Sequence, residues 1–389
     1  MNYEERKALA LAEIGAHHGE TIGISDALAD EPELSGYEYK SSARLVEYLR
    51  SQGWNVEYPF HGIDTAFKAV LGDGNSHKRK LAILTEYDAL AIGHACGHCV
   101  SAAISILSAM GLAKLQDELD MDIHVLGTPN EEFNGAKCVM VNDGIFDIYD
   151  MAMMVHMYNH NLTTTKLLAK DAFTYRFKGR SAHAASAPWD GNNALNGVTL
   201  MFHAIDMLRQ HVKDDVRIHG VIRNGGMAAN IVPEEATCEV FVRSLDREYL
   251  NDVVRKVEDC ARGAAIATQT TYDRTEIGYP YDDLRNNKVG LKILEEVFEE
   301  LDIPLDRDYD GIFASTDAGN VSKVCPTFHP TLKIAEPDVA LHTKEFEEAV
   351  RTEVAHKAIA DGAKLIALQA IRIFGDETNF VAMKSEFEK

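Results

Sequence analysis

Between residues 94 and 99 the chain reads His-Ala-Cys-Gly-His-Cys. Thiol and imidazole groups are strong ligands for borderline divalent metals. Cys96 and His98 flank one glycine, Gly97, so the backbone can bend and aim both side chains at one point. Farther along, Glu131 and Glu132 form an adjacent acidic pair, and His156 closes an apolar run. One thiolate, two imidazoles and one carboxylate suit a hydrolytic metal site, which needs several ligands and an open position for water. The thiolate favours Zn²⁺; Mn²⁺ or Co²⁺ fit the imidazole and carboxylate donors. Five or more ligands would imply two ions. In the acidic pair, one carboxylate would bind metal while its neighbour shuttles a proton.

Each residue alone has a plainer reading. A lone His98 is a structural or surface histidine, and Glu131-Glu132 a solvated pair. Cys96-Gly-His-Cys99 is also a C-x-x-C, which at a helix start could serve as a redox dithiol. That reading gives no role to Glu131, Glu132 or His156. A structural zinc site lacks a second C-x-x-C at compatible spacing. Joint placement at the ends of apolar runs favours the metal.

Those runs are the elements that must position the ligands. Residues 81–85 read as a strand leading into the 94–99 motif, and 100–115 as the helix leading out. Ile123 to Gly127 is a strand ending before Glu131, and Met151 to Val155 is one ending at His156. Upstream, 3–30 and 41–52 read as helices, and 54–58 and 66–71 as strands. Strands alternating with helices predict a mostly parallel sheet covered on both faces, with ligands at the carboxyl ends of its strands. From about residue 168 the order becomes strand (172–177), helix (193–212), two strands (217–222, 236–243), helix (248–263) and strand (268–274). That β-α-β-β-α-β order is a ferredoxin-like α+β unit. We therefore expect a catalytic domain from 1–167 plus 280–389 and an inserted domain over 168–279. Helices return over 287–301 and 345–375, and the last dozen residues are expected to fray.

The 389 residues suffice for two domains, and a net charge of −22 argues against nucleic acid or an anionic membrane as partner. No run reaches the roughly 18 apolar residues that span a bilayer. Six cysteines in this length do not make a disulfide scaffold, so the chain reads as cytoplasmic, with Cys138, Cys238, Cys260 and Cys325 as small buried hydrophobes.

The run EYDALAIGHACGHC resembles the first metal motif of the M20 metallopeptidase and amidohydrolase superfamily, in its aminoacylase-like branch. TPNEEFNGAK is similar to the Glu-Glu motif and MMVHMY to the histidine motif that follows. GRSAHAASAPWDGNNALNG and GGMAANIVPEEATCEVFVRS resemble the inserted domain, and ASTDAGNVS with ALHTKEF the last motif. The resemblance implies hydrolysis of an N-acyl amino acid or dipeptide-like amide by a metal-activated water, two divalent ions, and a homodimer or higher homo-oligomer. It implies Cys96 as the shared ligand, His98 and Glu132 completing one site, and His156 and His342 the other. His329 is the rival to His342. Glu131 would be the general base, His183 would polarise the scissile carbonyl, often across a dimer interface, and Asn230 and Arg243 would grip the substrate carboxylate. The inserted domain would be a lid and dimerisation domain. Cys99 stands where Asp or Asn is common. Two alternatives stay open: a thiol redox enzyme, and a silent binder of an amino-acid derivative, although a pure binder needs no proton shuttle.

Overall fold

The computed structural model describes residues 1–311 and 314–389. The chain divides into two compact units, Met1–Lys166 with Leu284–Lys389, and Leu167–Asp283.

In the first unit the elements run α1 (Tyr3–Asp30), α2 (Tyr39–Ser51), β1 (Asn55–Glu57), β2 (Phe67–Val70), β3 (Arg79–Thr85), α3 (His98–Ala113), α4 (Gln116–Leu119), β4 (Met121–Gly127), α5 (Ala136–Asn142), β5 (Met151–Met153) and β6 (His156–Tyr158). The main sheet has the order β1-β2-β4-β3-β5-β11, where β11 (Thr327–Phe328) comes from the later part of the chain. β4, β3, β5 and β11 are parallel; β1 and β2 make an antiparallel edge. Alternate residues of β3 face opposite sides, as a pleated strand requires. Leu81 and Ile83 enter the core under α3, while Ala82 and Leu84 enter a second core with Ala136 and Met140 of α5. Both faces are therefore covered, as expected for a parallel sheet. Almost every residue of α3 is buried, because α1 and α11 (Glu353–Phe374) pack against it while its other side meets β3 and β4.

The second unit holds β7 (Ala169–Lys178), α6 (Ala194–Leu208), β8 (Arg217–Asn224), β9 (Glu235–Ser244), α7 (Arg247–Thr268) and β10 (Thr271–Glu276). Its antiparallel sheet has the order β10-β7-β9-β8. Along β9 every second residue, Ala236, Cys238, Val240 and Val242, is buried against the core shared with α6 and α7. This is the α+β, ferredoxin-like arrangement that the element order predicts.

The chain then completes the first unit with α8 (Lys288–Glu300), α9 (Ala318–Val324), β11, β12 (Thr331–Lys333), α10 (Lys344–Ala349), α11 and α12 (Glu377–Phe387). β12 pairs in parallel with β6. The expectation of a frayed end is corrected: Asp376 caps α12 by accepting from Thr378 N at 2.8 Å, and Met383 is fully buried. No helix among the described residues is long and apolar enough to cross a membrane.

Candidate metal centre

Three strand ends build the site. After β3 the chain passes Glu86 and Asp88 and reaches Gly97, the N-cap of α3, at φ +83°. A Cβ there would also lie 2.5 Å from Met157 Cβ, so glycine alone lets Cys96 and His98 approach β6 this closely. After β4, Asn130 turns the chain at φ +64° and presents Glu131 and Glu132. His156 opens β6. His342 arrives from the loop before α10, where its N–H donates to Ala95 O at 2.9 Å.

Cys96 Sγ lies 3.5 Å from His156 Nε2, and the His98 and His156 rings meet edge to face at 5.4 Å. His342 Nε2 is 3.4 Å from Glu132 Oε1. Donor atoms of Cys96, His98 and His156 all lie within 4.8 Å of one another, as do those of Cys96, Glu132 and His342, and those of His98, Glu131 and Glu132. Metal–ligand bonds of about 2.0–2.3 Å put donors on one ion at such mutual distances. The first two groups share Cys96. They pair His98 with His156 and Glu132 with His342, while the third group sets His98 beside Glu132, the pairing that the resemblance implied. His329 belongs to none of these groups; it stacks on His156 at 5.4 Å, behind the cage.

The donors are oriented for a cation. His98 Nδ1 faces two acceptors, Asp88 O and Asp88 Oδ1, each at 3.0 Å, so it carries the proton. His156 Nδ1 donates to Met157 O at 2.7 Å for the same reason. Both Nε2 lone pairs are thus left for the cage. Among the described residues, His98 Nε2 and Glu132 Oε1 are buried and make no hydrogen bond. Orphaned acceptors of this kind fit a divalent ion. Burial pushes His156 down to about 3, which keeps the imidazole neutral and able to bind metal. Burial pushes the Cys96 thiol well above its ordinary value, as does the nearby Glu132 charge. Glu131 is also driven well up, by burial first and then by Glu86, Glu132 and Asp317. Cys99, by contrast, packs in the hydrophobic core and is raised by burial to about 12. A redox dithiol needs the opposite shift.

Asp88 is a residue that sequence reasoning passed over. Besides His98, its Oδ2 accepts from Glu132 N at 3.0 Å and Ser35 Oγ at 2.7 Å. The neighbouring His98 ring and these bonds outweigh burial and hold its carboxyl well below the usual range. Its signals were its position three residues past the strand and its place in the run EYDALAIGHACGHC.

In the second unit His183 is exposed. Its Nδ1 accepts from Ala185 N and Ser186 N at 3.2 Å each, leaving the proton on Nε2. Asn230 is adjacent, through Ala184 N to Asn230 O at 3.0 Å. Arg243 is not. It pairs in register with Lys170, near where the chain enters this unit, whereas Lys178, close to the His183 loop, pairs with Glu235. Eight residues of strand, roughly 26 Å at about 3.3 Å each, separate the two ends. Asn230 and Arg243 of one chain therefore stand toward opposite ends of the β7–β9 ladder.

A cage of sulfur, nitrogen and oxygen donors at the strand ends of such an α/β unit, with an antiparallel α+β insertion, defines a metal-dependent hydrolase of small amide or peptide bonds. Residues 170–268 match the M20 peptidase dimerisation domain. The chain is 32% identical to the mouse Xaa-Arg dipeptidase over 381 residues, covering 94% of this chain and 88% of that one. It is 28% identical to a p-aminobenzoyl-glutamate hydrolase chain of Escherichia coli K12, over 91% of this chain and 89% of that one. In fold it resembles a dinuclear metal-binding M20 peptidase of Bacillus subtilis, with TM-score 0.69 and 18% identity over 91% of this chain and 98% of that one. The chain belongs to the M20 family of metallopeptidases and amidohydrolases, and it is an enzyme.

Proposed function

We propose that Cys96, His98, His156, Glu132 and His342 hold two divalent ions, with Cys96 shared, and that the substrate is a dipeptide or N-acyl amino acid. The supporting observation is the pair of donor groups with Cys96 in common. Mn²⁺ or Zn²⁺, with Co²⁺ also compatible, would when bound polarise the scissile carbonyl and acidify the attacking water. Glu131 takes the proton from that water and delivers it to the leaving amine nitrogen. Asp88 keeps His98 in the tautomer that offers Nε2 to the cage. His183, with its proton on Nε2, donates to the oxyanion that forms at the carbonyl. Arg243 supplies the planar fork that matches a substrate carboxylate. The names of the relatives, a dipeptidase and an aminobenzoyl-glutamate hydrolase, support a small carboxylate-bearing amide.

The inserted unit is read as a lid and dimerisation domain, in keeping with the family match. The long separation of His183 and Asn230 from Arg243 supports a homodimer in which His183 and Asn230 of one protomer serve the site of the other. Glu131→Gln should keep its metal by elemental analysis and lose about 10²–10⁴ in kcat. Assays on dipeptides and N-acyl amino acids, with Mn²⁺, Zn²⁺ or Co²⁺ supplied in turn, would fix substrate and ion. Full turnover by Glu131→Gln, or by wild-type protein after exhaustive chelation, would contradict the mechanism.

A further inference from the structure

Beside the proposed proton shuttle lie two further buried acids, Glu86 and Asp317, that the mechanism does not use. Carboxylate oxygens of Glu86, Glu131 and Asp317 lie within 4.8 Å of one another, and all three residues are buried. Carboxylate oxygens are the donors that hard divalent cations prefer, and these three lie close enough to face one ion. A protein cation is already there. Lys137 Nζ donates to Glu86 Oε1 at 2.6 Å and to Asp317 Oδ1 at 2.5 Å, and Lys137 N donates to Asp317 Oδ2 at 3.0 Å. The lysine has no exposed surface, and neither have Glu86 and Asp317. The other Glu86 oxygen, Oε2, accepts no hydrogen bond among the described residues and faces His98 Nε2 at 3.3 Å. The triad thus touches the cage through Glu86, and an ion that entered it would stand beside the ligands proposed above.

A buried ion pair is weak evidence for stability, because desolvation cancels much of its attraction. Its placement calls for another reason. We infer that Lys137 is the resident counter-cation of the Glu86/Glu131/Asp317 triad: its ammonium occupies the place of a third metal ion and restricts divalent binding to the Cys96 cage. Lysine suits this role because a compact ammonium on a flexible stem offers three donors to oxygens arranged around a point. It also keeps the Glu86 carboxylate fixed against His98 without a diffusible ligand. This inference rests on the metal-cage reading, yet the two can fail separately.

The test is metal stoichiometry by equilibrium dialysis against Mn²⁺ and elemental analysis of folded protein. The wild-type count tests the cage. The increment in Lys137→Ala tests the inference: one additional Mn²⁺ per chain, and thermal stability that now rises with Mn²⁺ more steeply than in wild type. The triple variant Glu86→Gln, Lys137→Met, Asp317→Asn should show no additional ion. A folded Lys137→Ala with the wild-type count would overturn the inference. So would a Lys137→Ala that stays unfolded at every Mn²⁺ concentration, since a divalent ion is held to replace the ammonium there. An extra ion in the triple variant would likewise overturn it, by placing the new site elsewhere.

Discussion

Asp88 serves three partners with one carboxylate: the His98 ring, the backbone N–H of Glu132 and the Ser35 hydroxyl. It therefore couples the two loops that carry the donors. Asp88→Asn should weaken metal affinity by about 10–100-fold, as removal of such an orienting partner generally does. Competition with a graded chelator would measure this, and unchanged affinity would strip Asp88 of its orienting role. The ligands differ in how visible they were from sequence. Cys96, His98, Glu131, Glu132 and His156 each follow an apolar run closely enough that strand ends and donors could be read together. His342 follows no such run; it sits half-exposed in a loop at φ +64°, and only the family resemblance pointed to it. Lys137 was invisible because a lone lysine reads as solvated, and its burial depends on Asp317, 180 residues away.

At the scale of elements, the joint between α3 and β6 carries most of the geometry. Gly97→Ala would place a methyl group 2.5 Å from Met157 Cβ and force a left-handed φ on a residue with a Cβ. The left-handed conformation alone costs about 1–2 kcal/mol, and relieving the contact must push α3 away from β6. The expected outcome is a lower unfolding midpoint together with weaker metal binding; a variant with normal stability and affinity would show that the close approach is dispensable. Long elements were legible because period and length agree, as in α1, α3 and α11. β6, β11 and β12 are two or three residues each and carry no periodicity. They exist through tertiary pairing: β11 joins β5 in the main sheet, and β6 and β12 pair with each other. α12 was hidden for a related reason: its sequence is polar, and Met383 together with the Asp376 cap holds it in place.

For the whole molecule, buried neutral histidines set the response to acid. His124 in β4 is the cleanest case, since it lies away from the donor cage and bonds Tyr149 OH and Gly74 O at 2.8 Å each. Burial, reinforced by Lys68, lowers it from 6.5 to about 4. Between those values the unfolded chain binds a proton that the folded chain does not, so stability falls as pH falls through that window. The contribution is about 3 kcal/mol at 1.36 kcal/mol per pH unit. Urea unfolding of wild type and His124→Gln from pH 4.5 to 7.5 should show a shallower pH dependence in the variant; equal slopes would assign the acid lability elsewhere. The two-unit organisation was legible from the change in element order near residue 168. The separation of Asn230 from Arg243 was not, because it depends on strand register and not on motif content.

Everything proposed for the chemistry depends on remote side chains converging on two divalent ions that share one cysteine. Anomalous diffraction from crystals grown with Mn²⁺ or Zn²⁺ tests this most directly. Two peaks about 3.5–4 Å apart should appear, one reached by Cys96, His98 and His156 and the other by Cys96, Glu132 and His342. Peaks at other residues, or none in crystals of protein that is fully active in the same buffer, would contradict it.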